Sequence, residues 1–488
     1  MKILLGQSYF RILDEKEQKR NMPYPPLGSL YAAAILKGLG HEVIFYDAML
    51  SGGVNDFISK INSEKPDILV IYDDEFNYLT KMCLSKMRDA AVESIKTAKR
   101  FFVPVIVYSS DAADFPAEYF NAGCDTIIYG EGEETLKESI KAFEENSFFL
   151  KREGIAGLKF IENGSIRTTQ SRILIDDLDL LPEPDYSFVD IEVYRSIWLS
   201  HHGYFSMNIS TTRGCPYSCN WCAKPLYGRT YSSRSPKKVA EQIKELKEKY
   251  SAQHLWITDD IFGLKTNWIK EFSIELKKLN MLVPYKCLSR PDILLKGDTL
   301  NDLKESGCKT IWIGAESGSQ KILDAMDKGI TVEQIYKAAE ATQRLGIEIA
   351  FFIQFGYLGE GWEDIRLTRK MITDNLPADI GISVSYPLPG TKFHQKVKQL
   401  MKVKTNWVDS DDLDLMYTGT YSRKFYKLLH HLVHYEYRMK KIMKKNLWKG
   451  IPKLMIYTMR LILLKLRIAA FLTFKIKYFQ PKLEQSNK

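Results

Sequence analysis

The 488-residue sequence has too few cysteines, too unevenly placed, for a disulfide framework: there are seven, and three lie within eight residues at Cys215, Cys219 and Cys222. An odd total with one tight cluster suits a metal site instead. The other four, Cys83, Cys124, Cys287 and Cys308, stand singly in apolar contexts and read as buried thiols. The N-terminal run Met1–Gly6 lacks the longer apolar stretch and small-residue cleavage site of a secretory leader, so it reads as a first strand. A reducing cytoplasm is therefore expected. No repeat at a solenoid period appears, and nothing in the first 400 residues has a disordered composition. Long uninterrupted apolar runs are also missing: Leu454–Phe474 is broken by Arg460, Lys465 and Arg467, which argues against a spanning helix.

Acidic residues are scarce at one end. Residues 421–488 hold seventeen Lys or Arg against Glu436 and Glu484, a net +15 in a chain of +9, so residues 1–420 carry −6. The tail interleaves basic and apolar residues at helical spacing. Two readings stand side by side: an amphipathic helix on an anionic membrane surface, or a helical cap on the preceding domain. His430, His431 and His434 share a helical turn; the plain reading is a solvated face, the alternative a metal ligand set. No recognised RNA-binding module accompanies the basic stretch.

The first 148 residues alternate short apolar strands with helical segments. Strands are expected at Lys2–Leu5, Val43–Tyr46, Ile68–Tyr72, Val103–Tyr108 and Thr126–Tyr129. Fully apolar strands between helices predict a doubly wound, Rossmann-like α/β domain. Residues 149–200 read as a linker with a hairpin at Phe160–Ile166, turning at Asn163-Gly164. Residues 201–400 resume the alternation, with strands at Phe205–Ser210, Leu255–Thr258, Tyr285–Leu288, Thr310–Gly314, Glu348–Phe355 and Ile380–Val384. Six strand–helix units predict a partial (β/α)6 barrel of TIM type. Residues 401–488 form the basic helical extension.

The segment Arg213-Gly214-Cys215-Pro216-Tyr217-Ser218-Cys219-Asn220-Trp221-Cys222 follows the first barrel strand. Spacings of three and two residues let one loop wrap three thiolates around a single cluster. A 4Fe–4S cube normally takes four cysteines; three leave one iron open, much as a catalytic zinc keeps a free position. A structural zinc with a distant fourth ligand is the alternative, but the paired knuckles of zinc ribbons are missing.

This C-x3-C-x-aromatic-C loop resembles the radical S-adenosylmethionine (SAM) superfamily. The resemblance implies that the open iron chelates the amino and carboxylate groups of SAM, and that an electron from the cluster yields a 5′-deoxyadenosyl radical. It implies SAM contacts at Trp221, at Asp259 and Asp260 after the second barrel strand, at Arg290 after the third, at Glu316 and Ser317 after the fourth, and at Gly356 after the fifth. Gln354–Glu360 departs from the family's usual Gly-Leu-Pro-Gly-Glu, whereas Tyr386–Thr391 matches its closing segment. Taken singly, Asp259, Asp260 and Glu316 could be helix caps, and Arg290 a surface ion pair.

A doubly wound domain ahead of the barrel resembles the cobalamin-binding module of B12-dependent radical SAM enzymes, the group holding anaerobic magnesium-protoporphyrin monomethyl ester cyclases and cobalamin-dependent methylases. The matching stretches imply cobalamin contacts at Pro26, Leu27, Gly28, Ser109, Asp111, Gly130, Glu131 and Gly132. The D-x-H-x-x-G motif for a lower axial histidine is missing, and His41 reads as a surface turn residue. Ser109-Ser110-Asp111 stands where a Gly-Gly pair is common, and Asp73–Tyr78 forms an unusually acidic loop. The implied function is radical methylation of an unactivated carbon. Alternatives are oxidative cyclisation or rearrangement with the same cofactors, or a non-catalytic binding or assembly role. An external flavodoxin- or ferredoxin-type reductant and a small-molecule or lipid substrate complete the expectation, in a cytoplasmic protein with peripheral contact to the inner membrane surface.

Overall fold

The computed structural model describes residues 1–82, 84–222, 227–445 and 456–472; Cys83 lies outside them. Two sheets organise the chain. The first contains β1 (Lys2–Gly6), β2 (Glu42–Phe45), β3 (Ile68–Tyr72), β4 (Val105–Tyr108), β5 (Thr126–Ile128), β6 (Leu158–Glu162) and β7 (Ser165–Thr168), in the order β2-β1-β3-β4-β5-β6-β7. The first five strands are parallel. β3 is buried at every residue because helices cover both faces. The order reverses between β1 and β3, the crevice where such folds bind ligands.

The hairpin expected in the linker does form, with Asn163 and Gly164 both at positive φ. It also pairs antiparallel with β5 and so extends the first sheet. Two helices, Tyr78–Lys81 and Ser85–Arg100, connect β3 to β4. His41 is not a surface residue. It is 8% exposed, with Nδ1 3.4 Å from the Met1 amine.

The second sheet holds β8 (Ser206–Ile209), β11 (His254–Ile257), β12 (Tyr285–Ser289), β13 (Cys308–Glu316), β14 (Glu348–Phe355) and β15 (Ile380–Val384), all parallel and in chain order. Sequential parallel strands with helices outside make a curled half-barrel. On β13 the alternate residues Ile311, Ile313 and Ala315 are buried beneath those helices. Thr310, Trp312 and Gly314 face the inner side and are only half-buried. Cys287 and Cys308 are buried as expected, but not singly: their sulfurs lie 3.9 Å apart across β12 and β13.

A short antiparallel pair, β9 (Thr212–Arg213) and β10 (Ser232–Ser233), closes the neck of the cysteine loop. From β9, Arg213 crosses to the other sheet. Its Nη1 lies 2.5 Å from Glu131 and its Nη2 2.6 Å from Glu133, with all three side chains under 5% exposed. Lys81, after β3, pairs likewise with Asp260, after β11, at 2.8 Å. The C-terminal strand ends of the two sheets therefore face each other. Residues 401–418 bind both: Trp407 O accepts from Ser85 N and Ser410 Oγ donates to Asp14, while Tyr417 Oη donates to Gly356 O on the barrel.

Helix Arg423–Lys445 then packs on the barrel through Phe425, Tyr426, Leu429, Leu432 and Val433. Glu436 pairs with Arg369 at 2.6 Å, and Tyr437 Oη donates to Pro377 O at 2.7 Å. Of the two readings of the tail, this helix fits the cap.

Removing one member of a buried ion triad strands the others. Arg213→Met is expected to destabilise the chain by about 3–5 kcal/mol, and adding Glu131→Gln with Glu133→Gln should restore most of that. Denaturant midpoints of the three chains decide; a single variant as stable as the parent contradicts the assignment.

Candidate functional site

The cysteine loop has three anchors. At its root Gly214 sits at φ +81°, where an added Cβ would strike the carbonyl oxygens of Thr230 and Tyr227; only glycine fits. At its far side Asn220 lies between Cys219 and Trp221. Its Nδ2 donates to Ala325 O at 2.8 Å and Asp327 Oδ2 at 3.0 Å, and its backbone pairs with Met326 and Phe393. The third anchor is Tyr357, whose hydroxyl donates to Asn220 Oδ1 at 2.8 Å.

Cys215, Cys219 and Cys222 are half-buried, and none is in a disulfide. Burial, with Asp260 and Cys219 adding to it, pushes the Cys222 thiol up to about 12. Among the described residues no three His, Cys, Asp or Glu side chains gather at single-ion spacing. The histidines of the tail are included: His431 is exposed, and burial and neighbouring charge lower His430 and His434 to about 3 and about 4.

Several of the expected residues meet beside this loop. Arg290 does form an ion pair, its Nε donating to Asp292 at 2.9 Å, but a buried one: it is 5% exposed and stacks 3.6 Å from the Tyr217 ring centroid. It donates to Lys328 O at 3.0 Å, and its Nη1 lies 3.9 Å from Cys219 Sγ. Glu316 ends β13 at φ +56°, a strained value for glutamate. Its carboxylate pairs at 2.9 Å with Lys328, whose ammonium lies 5.8 Å from the Trp221 ring centroid. Burial works against the charge of Lys328, and Glu316 and Cys219 more than offset it, holding its pKa above the ordinary value. The pair lies over Gly314, where a Cβ would collide with the Lys328 ammonium. Lys328 was not anticipated; its only sequence signal is a polar turn, Asp327-Lys328-Gly329, after the fourth-strand helix.

Other expected residues are engaged elsewhere. Asp259 accepts from Thr211 N at 2.7 Å, Thr212 N at 3.0 Å and the Thr211 hydroxyl, so it braces the strand leading into the loop. Burial still lifts its carboxyl to about 6. Ser317 Oγ lies 3.1 Å from Thr368 Oγ1. Gly356 donates its N–H to Glu360 at 2.6 Å and gives its carbonyl to Tyr417, both outside the cysteine loop.

On the facing sheet, Pro26 and Leu27 start the helix Leu27–Gly38, and the Gly28 amide is held by Asp74 at 2.9 Å. Ser109 Oγ accepts from Asp111 N, and Asp111 is clasped by Arg88 and Tyr119. Gly130 and Gly132 flank Glu131, which Arg213 and the Ile175 amide hold. The polar groups named for the second cofactor are thus paired within the chain. Buried atoms without a partner lie beside them instead: Tyr72 Oη, Thr80 Oγ1 and Glu133 Oε2 on this face, with Trp221 Nε1 at the cysteine loop.

The inner face of the half-barrel continues from this site. Trp312 stacks on Phe352 with centroids 4.6 Å apart. Deeper, Lys286 lies 4.4 Å from the Trp256 ring centroid and makes no ion pair among the described residues. Burial and then Arg20 lower its pKa to about 7.

Residues 209–372 match the family profile described as the Radical SAM superfamily. An uncharacterised methyltransferase of Pyrococcus horikoshii is 27% identical over 391 residues, spanning 78% of this chain and 81% of that one. The anaerobic magnesium-protoporphyrin IX monomethyl ester cyclase of Rubrivivax gelatinosus is 26% identical over 385 residues, spanning 78% and 67%. The fold also matches the structure of the radical S-adenosylmethionine methyltransferase TsrM from Kitasatospora setae with cobalamin and a 4Fe–4S cluster bound. That match has a TM-score of 0.66 at 17% identity over 81% of this chain and 74% of that one. At such identity the likeness is one of fold.

Glu360, fully buried with one oxygen unpartnered, is pushed up to about 8, first by burial. The unfolded chain releases this proton near 4.5, so the folded state binds it more tightly between the two values. Stability should therefore fall as pH rises from about 5 to about 8, by at most about 1.4 kcal/mol per unit. Glu360→Gln removes that slope, and its advantage over the parent should grow across the window. Denaturant midpoints that stay parallel with pH would rule the shift out.

Proposed function

We propose, from the premise that the chain belongs to the radical SAM superfamily, that it methylates an unactivated carbon of an apolar substrate, using a 4Fe–4S cluster, SAM and cobalamin. The observation that carries this reading is the cysteine loop at the mouth of a half-barrel, held face to face with a doubly wound domain. Three thiolates, Cys215, Cys219 and Cys222, have the donor chemistry for a cluster with one open iron. Such a cluster, once bound and reduced, supplies the electron that cleaves SAM to a 5′-deoxyadenosyl radical.

The chain's own residues would do the rest. Arg290 brings a guanidinium beside Cys219, suited to the SAM carboxylate. Lys328, paired with Glu316, lies 5.8 Å from the Trp221 ring centroid, and the partnerless Trp221 Nε1 would donate to a SAM polar atom. Tyr72, Thr80 and Glu133, each with a buried unpaired oxygen, would meet polar groups of the corrin. These replace, as contacts, the Gly28, Ser109 and Asp111 groups that are already paired. The Trp312–Phe352 surface would hold a flat or greasy substrate, and Lys286 would neutralise an anion on it.

Incubating the reconstituted protein with a reductant, a cell extract and SAM bearing a CD3 methyl tests this. Both 5′-deoxyadenosine and S-adenosylhomocysteine should form, with the label on a small molecule, and Cys219→Ala should abolish all three. 5′-Deoxyadenosine without label transfer would favour cyclisation or rearrangement. No SAM cleavage by a cluster-loaded chain would favour a binding role.

A further inference from the structure

The helix at residues 456–472 runs antiparallel to helix Arg423–Lys445. Thr458 meets Met439, Arg460 meets Tyr435, Lys465 meets Glu436 and Phe471 meets Phe425. Its inner face is closed: Leu461, Leu464 and Ile468 are 8% exposed or less. Its outer face is also apolar. Ile456, Met459, Ile462, Leu463 and Leu466 are 50–66% exposed, and at 100° per residue they fall on the side opposite Leu461, Leu464 and Ile468. A surface helix normally buries one apolar stripe; this one presents two.

Charge shows what fits the second. Arg460 and Arg467 border the outer stripe, and Lys424, Lys427 and Arg438 are exposed on the partner helix. Residues 421–488 carry a net +15. A second copy of the chain would bring an equal positive charge to the same place, which self-repulsion opposes. No helix among the described residues is long and apolar enough to cross a membrane. An apolar stripe bordered by cations matches the interface of an anionic bilayer, where methylene-rich side chains reach the acyl boundary and arginines meet headgroup phosphates.

We propose that the outer face of helix 456–472 docks the protein on anionic lipid membranes, with Ile462, Leu463 and Leu466 inserted and Arg460 and Arg467 at headgroup level. The inner face stays on helix Arg423–Lys445, so docking requires no unfolding of the cap.

The test is flotation of the full chain with phosphatidylcholine vesicles, with and without about one-third phosphatidylglycerol. The chain should float with the anionic vesicles and leave the neutral ones. Ile462→Asp with Leu466→Asp should lower the bound fraction on the order of tenfold, because it places charge at the acyl boundary. Arg460→Gln with Arg467→Gln should weaken binding only where the lipid is anionic. Circular dichroism and thermal midpoints, unchanged for substitutions at exposed sites, exclude misfolding. Equal flotation of parent and double-Asp chains, equal binding to neutral vesicles, or no flotation would overturn the proposal. So would a concentration-dependent dimer that the double-Asp chain loses, which would assign the face to a second copy.

Discussion

Arg213 is a full positive charge with almost no solvent, and it is stable only while Glu131 and Glu133 stay against it. Arg213 comes from β9, whereas Glu131 and Glu133 both come from the segment that follows β5 of the first sheet. Their contact forces the strand ends of the doubly wound domain to stay beside the root of the cysteine loop, two residues before Cys215. Lys81 with Asp260 repeats the tie from β3 to β11, and residues 401–418 lash both domains from outside. Open parallel sheets and barrels both bind ligands outside the carboxyl ends of their strands. Holding those ends together makes one shared site of two.

Inside that site, charge is arranged in short closed sets. Arg290 lies against Tyr217 and Cys219, and Lys328 links Glu316 to the Trp221 ring. The strained Glu316 backbone and the bare Cα of Gly314 give the Lys328–Glu316 pair its place on the inner face. Strain of this kind persists where surrounding contacts over-determine it, and β13 is held between two parallel neighbours. Below, the inner face turns aromatic, so a molecule lying there would meet rings first and the Lys286 ammonium last.

Much of this was legible from local pattern. The strands Ile68–Tyr72, Glu348–Phe355 and Ile380–Val384 lie where apolar runs between turn residues put them, and the cysteine spacing located the loop. Partners across the fold were not legible. Asp259 follows the second barrel strand as expected, yet its carboxylate faces Thr211 and Thr212, 48 and 47 residues earlier. Arg213 stands in the quoted motif, but its destination lies about eighty residues upstream. Nor does a one-dimensional pattern show that the Asn163-Gly164 hairpin joins the first sheet, that His41 is covered, or that Cys287 and Cys308 touch. The tail's mixture of charge and apolar residues was ambiguous for the same reason: it serves a helix lying on the barrel and a second helix lying on the first.

We propose above all that Cys215, Cys219 and Cys222 hold a 4Fe–4S cluster with one iron open to SAM. Electron paramagnetic resonance of the reduced, reconstituted chain, before and after adding SAM, addresses it directly. The account predicts about four irons per chain and a cluster signal whose g values shift when SAM binds the open iron. A signal that SAM leaves unchanged, or a chain that retains zinc in place of iron at these cysteines, would contradict it.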